Sequence, residues 1–123
     1  MPIKRILIVD DSPTERHYLS EILLKGGFDV VTSDCGEDAL IKARTLHPDL
    51  ILMDVVMPGM NGFQATRAIT RDETTKNIPV LICTTKAQET DRIWGLRQGA
   101  RDYMVKPVQS EALLKKIATM GSR

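Results

Sequence analysis

Aromatic residues are scarce in this chain: one Trp, two Tyr and two Phe among 123 residues. Charge of one sign is absent too, since seventeen Lys and Arg stand against sixteen Asp and Glu, for a net charge of +1. No basic stripe is interleaved with aromatics, which argues against nucleic-acid binding, and a near-neutral chain has no general attraction to an anionic membrane. No apolar run approaches the ~18 residues that cross a bilayer. The N-terminus shows neither the basic n-region nor the apolar h-region of a leader, so a cytoplasmic location is expected. Cysteine is limited to Cys35 and Cys83, with no CxxC and no His at ligand spacing. Reduced thiols, at least one of them in the core, are expected. Low complexity, internal repeats and linkers are also missing, and one domain is expected over residues 1–123, with no output domain.

What is present is a fivefold alternation of short apolar runs and helical patterns. Strands are expected at 3–9, 28–32, 50–53, 80–84 and 102–105. Helices are expected to start at Ser12-Pro13 and end at Gly26-Gly27, then over 37–46, 63–71, 89–98 and 110–120. Ser12, Pro13 and Glu15 read as a capping box with Pro at the first helical position. This α/β pattern means a doubly wound parallel sheet with right-handed crossovers.

Polar residues at the strand ends carry the chemistry. Asp10 and Asp11 follow Ile6-Leu7-Ile8-Val9, Asp54 follows Leu50-Ile51-Leu52-Met53, and Lys106 follows Tyr103-Met104-Val105. Carboxyl ends of parallel strands share one crevice, so three carboxylates and an ammonium should converge. An oxygen-only acidic site suits Mg²⁺ or Mn²⁺. Taken singly, each residue has a plainer reading: Asp after a strand often caps a helix, and Thr84 often just ends one. Trp94 reads equally as a partner-surface anchor or a partly buried helix residue.

The stretches Val9-Asp10-Asp11-Ser12, Leu52 through Gly62, Thr84-Thr85 and Tyr103-Met104-Val105-Lys106-Pro107 occur in this order at strand ends. Together they make the chain resemble the receiver domains of two-component response regulators over essentially its whole length. Asp11-Ser12-Pro13-Thr14-Glu15, Gly62 through Arg67 and Thr84 through Tyr103 are similar to the single-domain regulators of type IV pilus chemosensory systems.

The resemblance implies a CheY-like, flavodoxin-like (βα)5 sheet in the order 2-1-3-4-5. It implies Asp54 as phosphoacceptor and Mg²⁺ held by Asp11, Asp54 and the Val56 backbone carbonyl, with Asp10 orienting a metal-bound water. Lys106 would pair with the phosphoryl group, Thr84 would sense it, and Pro107 would follow a cis bond. Tyr103 would then turn inward and reshape a face of helix 4, strand 5 and helix 5 that carries Trp94 and Arg97. The implied partners are a CheA-type sensor histidine kinase and a downstream protein, with the chain itself a monomer. It is a phosphoacceptor rather than an enzyme, apart from its own autodephosphorylation. A phosphate sink for the kinase and a nonphosphorylated pseudo-receiver scaffold are the alternatives. A haloacid-dehalogenase-type phosphatase is disfavoured, because Val56 stands where its general acid belongs. Thr85 departs from the small residue usual after the switch Thr and would narrow the route to the phosphoryl group.

Overall fold

The computed structural model describes residues 2–121. Its strands are β1 (Arg5–Val9), β2 (Asp29–Ser33), β3 (Leu50–Met53), β4 (Val80–Thr84) and β5 (Asp102–Val105). They alternate with α1 (Pro13–Lys25), α2 (Gly36–Leu46), α3 (Gly62–Arg71), α4 (Glu89–Arg97) and α5 (Ser110–Gly121). The sheet is parallel, in the order β2-β1-β3-β4-β5. Both of its faces are covered, which is why the inner strands read as unbroken apolar runs rather than alternating ones. Leu7, Val9, Ile51, Met53, Val80 and Ile82 pack on one side with Ala39, Ala43, Ala65 and Ile69. Ile6, Ile8, Leu50, Leu52, Leu81 and Cys83 pack on the other with Leu19, Leu23, Leu113 and Ile117. Cys83 is buried and Cys35 half-buried, and both are free thiols. No helix among the described residues is long and apolar enough to cross a membrane.

Two strand starts differ from expectation, each because another partner takes the backbone. Strand β1 starts at Arg5 because the amides of Lys4 and Arg5 both donate to the Asp49 side chain. Strand β2 starts at Asp29 because Phe28 belongs to the end of α1. Gly27, at φ +90°, donates to Leu24, and Phe28 donates to Leu23. That pair is a Schellman cap, and Gly supplies its left-handed residue. His47 likewise closes α2 from just outside it, at φ 45°.

Register brings the acids together. Val9 is paired with Ser33 on one side and Met53 on the other. The ladder runs one residue further: Asp10 N–H donates to Ser33 and Asp54 N–H donates to Val9. Asp10 and Asp54 therefore leave adjacent strand ends at the same level.

Candidate metal and phosphoryl site

Oxygen atoms of Asp10, Asp11 and Asp54 all lie within 4.8 Å of one another. Asp10 and Asp54 are buried, whereas Asp11 is exposed at the mouth. Lys106, on the loop after β5, brings its ammonium to 2.5 Å from Asp10 Oδ2 and 3.7 Å from Asp54 Oδ1. The Lys106–Pro107 bond is cis. Tyr18 anchors this loop from α1 by donating to the Val108 carbonyl at 2.6 Å. The donor set is hard oxygen throughout, with no His or Cys in it, which fits Mg²⁺ or Mn²⁺. Among the described residues nothing donates to the Val56 carbonyl.

Burial raises the Asp54 carboxyl above the usual range, and the Asp10 charge raises it further. Lys106 and the Val55 N–H, which donates to Asp54 Oδ1 at 2.9 Å, pull the other way without cancelling the rise. For Lys106, burial acts to lower the ammonium, but the Asp10 bond and the neighbouring carboxylates outweigh it and hold it raised. The pocket is thus an excess of buried negative charge with one built-in counter-ion. A raised carboxyl means that folded Asp54 keeps its proton more readily than unfolded Asp54. Its favourable share of stability is present in acid and is lost as pH rises through the folded value. Asp54→Asn without divalent cation is therefore expected to melt a few degrees above the parent at pH 7, with the difference shrinking toward pH 4. Thermal melts across that range measure it.

The Asp54–Gly62 loop is built on close backbone approach. A Cβ on Gly62 would lie 1.9 Å from the Asp54 carbonyl oxygen, and Gly62 N–H donates to Val55 at 3.0 Å. Asn61 and Gln64 complete a true capping box there. Gly62→Ala is expected to lose about 3 kcal/mol in urea unfolding, the upper range of overpacking, because the obstacle is backbone.

At the end of β4, Thr84 is fully buried and its Oγ1 accepts the Lys86 N–H at 3.4 Å. Tyr103 lies on the neighbouring strand β5. Its ring already points inward at 6% exposure, and its hydroxyl donates to the Lys86 carbonyl at 2.8 Å. Gly95 makes this possible, since a Cβ there would meet the ring at 3.1 Å. Trp94, 49% exposed, and Arg97 lie on the surface of α4, and Trp94 lines a groove with Val56, Met57 and Phe63.

A correction concerns the start of α1. Ser12 Oγ accepts the Glu15 N–H at 3.2 Å, but the return bond of a capping box is missing. Asp10 Oδ1 takes the Ser12 N–H instead, at 3.0 Å. Glu15 turns to the site and lies 3.9 Å from the Lys106 ammonium. Sequence reasoning placed Glu15 only at a helix cap, and it missed Arg16, which donates to the Asp10 carbonyl at 2.7 Å.

Residues 6–118 match the family model described as the response regulator receiver domain. This chain belongs to that family. The receiver is 59% identical to Protein PilH of Pseudomonas aeruginosa over 113 residues, 92% of this chain and 93% of PilH. Its fold superposes on chemotaxis protein CheY4 of Vibrio cholerae with TM-score 0.89 at 35% identity, over 95% of this chain and 98% of that one. A chain of the CheX–CheY–BeF3–Mg²⁺ complex from Borrelia burgdorferi matches with TM-score 0.89 at 29% identity, over 95% of the receiver and 88% of that chain. The sheet order and the CheY-like fold implied by the sequence motifs are those observed.

Proposed function

We propose that this receiver is a phosphorylation switch that accepts a phosphoryl group on Asp54 from the histidine of a CheA-type sensor kinase. The observation that carries the reading is the convergence of Lys106 with Asp10 and Asp54 beside exposed Asp11. Asp10, Asp11, Asp54 and the Val56 carbonyl would hold Mg²⁺, which supplies positive charge to the phosphoryl oxygens when bound. An Asp54 oxygen forms the bond to phosphorus as the donor P–N bond breaks, with its electron pair staying on the imidazole. Lys106, already partnered to Asp10, holds its ammonium where charge collects on the transferring group. Hydrolysis of the aspartyl phosphate by water resets the switch.

The signal would pass through the β4–α4 loop. Two bonds tether Lys86 there, one from its N–H to Thr84 Oγ1 and one to its carbonyl from Tyr103. Thr84 turning its hydroxyl to the phosphoryl group releases the first tether, while the second stays available. That biases the loop between two arrangements and alters the α4–β5–α5 face at Trp94 and Arg97, where a downstream protein would dock. Similarity to PilH supports placing this switch in chemosensory control of type IV pili.

Phosphotransfer profiling tests the reading. Incubated with Mg²⁺ and each phosphorylated histidine kinase of the source organism, the receiver should gain an acid-stable, base-labile phosphate from one of them within minutes. No transfer from any kinase would leave the scaffold alternative in its place.

A further inference from the structure

A cleft beside the site is lined by Thr14, Glu15, Tyr18, Thr85, Lys106 and Pro107. It leads to the Lys106 ammonium, and Glu15 is the only acid on its wall. That carboxylate has no cap to make, because Asp10 already holds the Ser12 N–H. Its side chain is one-quarter exposed and stands 3.9 Å from Lys106 Nζ. We infer that Glu15 is a specificity-determining residue that discriminates among phosphoryl donors by their charge. The inference rests on Asp54 being the phosphoacceptor.

The physical reason is local. Lys106 would draw any anion into the cleft, and a carboxylate within a Debye length of the entering group offsets that attraction. A small dianionic donor meets this repulsion unaided and must also pass the β-branched Thr85. A protein donor brings its phosphohistidine with cations of its own, which take up the Glu15 charge as they dock. Glu15 therefore slows small anionic donors and leaves protein donors fast.

Two small donors of different charge separate this role from a structural one. Acetyl phosphate is a dianion near neutral pH; its P–O bond to the acyl oxygen breaks and the electron pair leaves with acetate. Phosphoramidate carries one net negative charge, and its P–N bond breaks as the protonated nitrogen leaves with the pair. With Mg²⁺ at low salt, Glu15→Gln should be phosphorylated by acetyl phosphate about three- to tenfold faster than the parent. Its rate with phosphoramidate should rise only by the square root of that factor, about two- to threefold, because the interaction energy scales with donor charge. The parent's acetyl phosphate rate should rise with added salt and the variant's should not, all read by intact-mass spectrometry with Asp54→Asn as blank.

Loss of an acid from the first turn of α1 also weakens the helix slightly, but that effect is the same for both donors. Equal change with both donors, or no change with either, overturns the inference while leaving Asp54 as acceptor. No phosphate on the parent or on Glu15→Gln from either donor overturns the inference, and the phosphoacceptor reading falls with it only when no histidine kinase labels the parent either.

Discussion

Asp54→Asn should take up no measurable phosphate from a kinase that labels the parent within minutes, a fall of at least about 10³-fold in the transfer rate. The expectation follows from geometry as much as from residue type. The Asp54 carboxylate is buried at the end of a central strand, where few other nucleophiles can reach. One of its oxygens is fixed by the Val55 N–H and faces Lys106 at 3.7 Å. The amide keeps the shape and that hydrogen bond but has no anionic oxygen to attack phosphorus. Base-labile label retained by Asp54→Asn, or label mapped to Thr84, Thr85 or a histidine, would show that another group is the acceptor.

Asp11→Ala should weaken Mg²⁺ binding by at least the ~10–100-fold that loss of a metal ligand's supporting partner causes. Asp11 is the exposed carboxylate of the three, and no ion pair holds its side chain among the described residues. Asp10 is committed to Lys106 at 2.5 Å, and Asp54 is partly satisfied by Val55 and Lys106. Asp11 is therefore the carboxylate most available to a hydrated cation at the mouth. Trp94, the sole tryptophan, lines a groove with Val56 and Met57, so its fluorescence provides a titration signal. Isothermal calorimetry supplies an independent measure. Equal affinity in the variant and the parent would move the cation away from this cluster. Removing a carboxylate also relieves repulsion, so Asp11→Ala should be at least as stable as the parent without metal.

The central residues of the site were legible because each stands at the end of a strand that reads clearly. Ile6–Val9 and Leu50–Met53 are runs too apolar to face water, and the residue after each is forced out at the carboxyl edge of the sheet. Parallel winding then makes convergence of Asp10, Asp54 and Lys106 a matter of topology. Glu15 was misread for a definite reason. The pattern Ser-x-x-Glu is shared by a capping box and by a helix whose cap donor is already taken, and the competing acceptor is Asp10, two residues before Ser12. The inward place of the Tyr103 ring had no signal along the chain, because Gly95 on α4 supplies the space beside it.

By itself the sequence determined the α/β class, the five strands and helices to within two residues, and the acids and lysine at the strand ends. Those follow from local periodicity and from the rule that charge does not stay inside a strand buried on both faces. The motifs that resemble the receiver family supplied the strand order. Tertiary structure alone decided which carboxylate holds Lys106, that Glu15 joins the site, and that Tyr103 is already inward. Each of these depends on distances of a few ångströms between residues far apart in the chain, such as Lys106 and Asp10, 96 positions away. Competition among several carboxylates for one ammonium is settled by packing, and no pattern along the chain encodes its outcome.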